Sequence, residues 1–415
     1  MVSYPQEPRQ SAAQQQGIKP TAPDGEITPE GVEAAFGEPL EQTLDLATWT
    51  PGEDLAALYE RLEQTIQEAV RFEDGVRARV RAELFPKVFS RPSVPPGAGI
   101  YRAAIETLAR IHRGLLFTGQ VEACDGISAL HDTLPVTIAQ IGVCLVSYRG
   151  DQGSWVHRLY RRDLRVRGAD PIEEALDLLD RRWRRSGPDG TLRDRLTELG
   201  RRGIMAYAER AVLLERSTAR WRMGHGVPVP TELLTGSGSV ELSQRGLELL
   251  EGLLLGHRRV IFVPSGFGNR ALHTLGHALE PLEIAIVDAL QSSLELMLDQ
   301  ASSPVAASRR VRSFVQEIGP QIVLGLCRAS PAAPPCAFST HADYALEAGH
   351  IALADATLQE HRGWPLLLDL AAAVCRATFG THVFEESVQL AYAHAGEPYR
   401  YRSFLERGSS ERRLQ

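Results

Sequence analysis

Four carboxylates in this chain stand where an acid has a chemical reason to be. Asp125 follows an extended-looking stretch in "QVEACDGISALHD" (119–131) and precedes Gly126. Glu209 lies in "GIMAYAERAVLLER" (203–216) beside Ala206, Val212 and Leu213, with Glu215 six residues on and on another face. Glu232 closes an extended piece in "PTELLTG", and Asp369 interrupts the apolar run "WPLLLDLAAAV". An acid against a core-facing stripe is uncommon unless it is paired or coordinated. Three or four acids converging from separate elements make a two-metal phosphodiesterase, with ions ~3.5–4 Å apart that activate water and stabilise the leaving oxygen. Hard oxygen donors of this kind suit Mg²⁺ or Mn²⁺. Each acid also has a plainer account. Asp-Gly is a favoured turn pair, and Glu209 can form an ion pair with Arg210 or Arg216.

Other chemistries find no support. There is no G-x-x-x-x-G-K-[ST], no G-x-G-x-x-G opening a helix and no H-E-x-x-H. No G-x-S-x-G occurs either, since "VPSGFGN" has its serine before the glycine rather than between two. The twelve histidines are dispersed. Five scattered cysteines (Cys124, Cys144, Cys327, Cys336, Cys375) without C-x-x-C argue against a disulfide framework or zinc and for a reducing cytoplasm. No apolar run reaches the ~18–20 residues that span a bilayer, so no membrane association is expected. The net charge of −7 excludes a polycation. Yet nearly all basic residues are arginines, crowded between 158 and 222, which suits either a phosphate-contacting face or solvated helices.

Elements that would position the acids follow from periodicity. Residues 1–48, poor in large apolar side chains, read as a disordered tail, and 49–98 as a helical arm. In that arm Leu58, Leu62, Ile66, Val70 and Phe72 recur at helical spacing, as in a helix packed on its own domain. A main domain spans 99–398, before a flexible tail at 399–415. Within it come a helix over 100–114, a three-strand meander opening at Asp125, and helices over 171–185 and 191–222. A buried strand follows at 257–265, then helix through most of 269–302, strands at 320–330 and 336–341, and a helical end. Strands first, then helices alternating with buried strands, imply an α/β fold with a mixed sheet covered by helices.

This order of parts resembles the NurA nucleases. The resemblance covers about 100–395 and rests on "ACDGIS", the Glu-bearing helix, a strand running into a Gly-containing turn, and "WPLLL". It implies an RNase H-like core, cleavage of DNA ends with Mn²⁺ or Mg²⁺, a homodimer, and a hexameric HerA-like ATPase as partner, in DNA repair or phage defence. By this resemblance Asp125 and Glu209 are metal ligands. The family's next Asp-Gly is replaced here by Thr235-Gly236, so Glu232 would substitute as the third ligand. Its Tyr-Pro is replaced by Trp364-Pro365, and Ala372 stands where a histidine is expected, leaving Asp369 one turn away to take over part of that role. Either the site is rebuilt from these acids, or the chain is a nuclease-fold adaptor of a DNA-translocating ATPase. A non-nuclease α/β protein with ordinary surface acids is the third reading.

Overall fold

The computed structural model describes residues 27–51, 55–133, 136–161, 172–173, 176, 199–301 and 305–400, and the chain divides into two compact units after Asp74. In the first unit, helices α1 (Pro29–Phe36) and α2 (Leu40–Leu44) form within the stretch expected as a tail. Thr28 caps α1 by accepting from Gly31 N, Pro29 presets its first turn, and Gly37 at φ 78° ends it. Neither helix buries a residue. Helix α3 (Leu55–Arg79) begins here, at the place the spacing predicts. Its Leu58, Leu62, Ile66, Val70 and Phe72 are exposed.

The second unit is built on one nine-stranded mixed sheet in the order β1-β7-β8-β9-β6-β5-β2-β3-β4. After α4 (Phe85–Phe89) come β1 (Gly99–Arg102) and α5 (Ile105–Ile111), so the expected helix over 100–114 starts later than its spacing indicates. The meander is present as β2 (Val121–Asp132), β3 (Thr137–Ser147) and β4 (Gly150–Arg161). Most of the helix expected over 171–185, and most of the arginine-rich stretch around it, lie outside the described residues; residues 172, 173 and 176, which are described, are helical.

The expected helix over 191–222 is corrected. Its described part is a π-helical turn, Leu199–Gly203, and α6 (Ile204–Glu215), after which the chain becomes β5 (Trp221–His225). Trp221 and Met223 alternate into the core of a parallel pairing with β2, a strand disguised by the charged Arg222 between them. Glu232 lies in the first turn of a short helix, α7 (Thr231–Leu234), rather than at the end of an extended piece. Helix α8 (Val240–Leu250), capped by Ser239, whose side chain accepts from Leu242 N, leads to β6 (Val260–Val263). The helix expected over 269–302 is interrupted. Pro281 and the β-branched run of β7 (Glu283–Ala289) separate α9 (Arg270–His277) from α10 (Gln291–Gln300). Helix α11 (Arg309–Ile318), strands β8 (Ile322–Arg328) and β9 (Cys336–His341), and helices α12 (Ala345–Ala356), α13 (Leu366–Phe379) and α14 (Thr381–His394) complete the unit.

Helices cover both faces. Ala123, Met223 and Ile261 pack towards α5, α12 and α13. Cys124, Val143 and Phe262 pack towards α6, α8 and α11. Met223 and Phe262 are almost wholly buried, each stabilising the fold by about 1.5–3 kcal/mol. Leu366–His394 is the one stretch among the described residues apolar and long enough to cross a membrane. It is broken at Gly380, where ψ is 162°, and α13 packs on β2 and β3. All five cysteines are buried free thiols.

Candidate active site

Strands β2, β5 and β6 run parallel, side by side. Their carboxyl ends open a notch, because the β2–β5 pairing stops at Cys124↔Gly224 while β2 continues against β3 as far as Asp132. Crevices at the carboxyl ends of parallel strands are where α/β sheets bind ligands. Asp125 is the first residue of β2 past that stop. It therefore sits in mid-strand, and the turn account of Asp125-Gly126 no longer holds.

What Gly126 does instead follows from its neighbour. A Cβ built there would lie 2.6 Å from Glu209 Oε1 and 3.0 Å from its Cγ. The glycine thus makes room for the Glu209 carboxylate, which α6 delivers from the face carrying Cys124. Cys124 Sγ donates to the Glu209 carbonyl at 3.5 Å, tying helix to strand at that point. Gly126→Ala is expected to displace the Glu209 carboxylate and lower any cation-supported activity about 10²-fold. Its cost to folding, read by denaturant unfolding, should be only about 1–2 kcal/mol, since the clash falls on a side-chain end rather than on backbone.

Glu209 is paired with Arg210, whose Nη1 lies 2.9 Å from Oε2. Arg210 is buried and held three more ways: Nη1 donates to Ala206 O at 3.1 Å, Nη2 to Val227 O at 2.7 Å, and the guanidinium lies over the Phe262 ring. The ion-pair account of Glu209 is therefore correct as geometry. Burial nevertheless outweighs Arg210 and holds the Glu209 pKa above the ordinary carboxylate range, with the nearby Asp125 charge pushing the same way.

His225, the last residue of β5, joins the site. Its Nδ1 is 3.3 Å from Asp125 Oδ1 and its Nε2 is 2.7 Å from Ser265 Oγ, just beyond β6. The hydrogen bond to Asp125 raises the His225 pKa against the opposing effect of burial. Trp364 stacks edge-on against the imidazole at 5.8 Å.

The other anticipated acids are placed differently. Glu232 has no side-chain hydrogen bond or ion pair among the described residues and stands in a helical first turn, where an acid complements the dipole. Asp369 Oδ2 accepts from Gln359 at 2.7 Å and its Oδ1 pairs with Arg362 at 3.0 Å. Thr235 Oγ1 donates to Thr231 O, and Ala372 is half-buried on α13. Glu215 is exposed. Among the described residues no three His, Cys, Asp or Glu side chains converge as a metal cage. The donor set does fit one hard cation that keeps its waters, because Asp125 Oδ2 and Glu209 Oε1 accept no hydrogen bond from the described residues. Mg²⁺ is commonly held in this way by one or two carboxylates and the substrate's own phosphate oxygens.

No family model matches the chain, and no curated protein matches it. Among solved structures it is similar to nucleases of two kinds. It shares 9% identity with the NurA nuclease from Sulfolobus solfataricus, covering 83% of this chain and 99% of that one, at a TM-score of 0.44. With NurA crystallised with manganese it shares 11% identity, over 79% and 98% of the two chains, at 0.28. With a DNA complex of Ciona intestinalis endonuclease V it shares 10%, over 62% and 84%, at 0.25. At these identities and TM-scores the likenesses carry no argument, and the functional reading rests on the notch itself.

Proposed function

We propose that this protein is a cation-dependent DNA nuclease whose active site is the notch holding Asp125 and Glu209. One observation supports this most. Two carboxylates from different elements lie close enough at the carboxyl end of the parallel strands to feel each other's charge, each with one oxygen that accepts no hydrogen bond from the described residues, and Gly126 keeps the space for one of them. Asp125 and Glu209 would hold a single Mn²⁺ or Mg²⁺. When bound, such an ion supplies charge stabilisation at phosphate oxygens and lowers the pKa of water. Arg210 fixes the rotamer of Glu209, and His225 fixes that of Asp125. Without a cation the two carboxylates repel a phosphodiester; with one they accept it.

The motif resemblance adds a homodimer and a HerA-like hexameric motor to the proposal. The Arg210 pairing and the lack of a third ligand among the described residues favour a second reading, an adaptor of a DNA translocase with weakened catalysis. Incubating linear DNA with the protein and Mn²⁺, with and without the motor, separates the two. Cleavage that EDTA abolishes is expected. Retained DNA or motor binding without cleavage under any cation would select the adaptor.

A further inference from the structure

The notch contains a second arrangement, which shares Asp125 and His225 with the proposed cation site and adds Ser265, a residue that cation-dependent cleavage does not use. Asp125 within β2, His225 at the end of β5 and Ser265 just beyond β6, on three adjacent parallel strands, stand in the order carboxylate, imidazole, hydroxyl, at 3.3 and 2.7 Å. We propose that Ser265 is a nucleophile activated by His225 and oriented through Asp125, giving the protein a metal-independent hydrolase activity on uncharged carboxylic esters.

Each part has its physical role. With Asp125 Oδ1 as acceptor, His225 carries its hydrogen on Nδ1 and turns Nε2 towards Ser265 Oγ, the tautomer that lets it take the serine proton. Ser265 is exposed, so a substrate can reach it. The three residues that follow, Gly266, Phe267 and Gly268, have backbone N–H groups with no acceptor among the described residues. Unpaired N–H groups directly after a nucleophilic serine are the donors an oxyanion needs. Gly266 opens on empty space, leaving their approach clear.

The substrate class follows from charge. The Asp125 and Glu209 carboxylates disfavour an anion here when no cation is present, and the Arg210 guanidinium is already engaged by Glu209. An uncharged ester meets no such repulsion, and the Trp364 ring beside His225 offers it an apolar wall.

In the reaction, Oγ bonds to the ester carbon as its proton passes to Nε2. The C–O bond then breaks, and the alcohol leaves with the proton from Nε2. Water attacks the acyl-serine, giving its proton to Nε2, and the carboxylic acid departs as Oγ is reprotonated. Ester and water thus become acid and alcohol, with the enzyme restored.

The test uses a fluorophosphonate probe on the full chain in EDTA, where cation-dependent DNA cleavage is silent, so each reading can fail alone. Oγ should bond to phosphorus with loss of fluoride, and peptide mass spectrometry should place the adduct on Ser265. Ser265→Ala should abolish labelling. His225→Ala should slow it by about 10²–10⁴-fold, with His225→Gln as the alternative if the alanine variant does not unfold cooperatively. Absence of an adduct on folded wild-type protein would overturn the proposal. So would labelling at another residue, or at a rate unchanged without His225.

Discussion

Asp125→Asn is expected to lower Mn²⁺-supported DNA cleavage by about 10³-fold, the rate equivalent of ~4 kcal/mol of lost charge stabilisation. Asparagine is nearly isosteric and keeps an Oδ1 acceptor for the His225 Nδ1–H, so neither β2 nor the imidazole needs to move. It removes only the negative charge and the anionic oxygen that faces the notch. Stability should change little, and the loss of one like charge beside Glu209 offsets part of any cost. The measurement is single-turnover cleavage of linear DNA at saturating protein, alongside denaturant unfolding of both proteins. A variant that unfolds at the same denaturant concentration yet cuts at the wild-type rate would remove Asp125 from the site.

Arg210→Ala should have the largest effect on folding, a loss of about 3–5 kcal/mol near pH 8. Glu209, its side chain 14% exposed, would then be a largely desolvated anion without its counter-ion, and the carbonyls of Ala206 and Val227 would lose a charged donor. The sign of the pH dependence follows from the same geometry. In the wild type, burial already raises the Glu209 pKa and Arg210 lowers it. Removing Arg210 therefore raises the folded-state pKa further above the unfolded value. A carboxyl raised in this way loses its contribution as pH climbs through the folded pKa. The deficit of Arg210→Ala should thus be smaller near pH 5 than at pH 8. Adding Glu209→Gln should recover much of the loss at pH 8, because an amide needs no counter-ion. Denaturant unfolding of the two variants at both pH values checks this, and a deficit independent of pH and of Glu209 would assign Arg210 to packing alone.

How much of this was legible in the sequence depends on which interactions are local. The mixed sheet, the meander, β6, β8 and β9 follow from alternation and buried apolar runs. Glu209 stood out because an acid on an apolar helix face needs a reason, and Arg210 next to it in sequence was visible as one candidate partner. Strands β5 and β7 were missed for different reasons. β5 is only five residues long with an arginine at its centre, and β7 lies between two true helices, where only Pro281 and its β-branched residues mark it. Missing β5 concealed His225. His225 and Ser265 are forty residues apart and His225 and Asp125 a hundred, so parallel crossovers alone bring them together. A strand-end "GHG" and a strand-end "PSG" were the available signals, and only the sheet order makes them neighbours. In sequence Gly126 suggests turn-forming freedom, whereas its value lies in the missing Cβ under Glu209.

The central claim is that Asp125 and Glu209 together hold one divalent cation. It is tested most directly by titrating Mn²⁺ into the protein and following the free ion by electron paramagnetic resonance. About one ion per chain should bind to the wild type, and either Asp125→Asn or Glu209→Gln should abolish that binding without unfolding the protein. Mn²⁺ binding that both variants leave unchanged would contradict it.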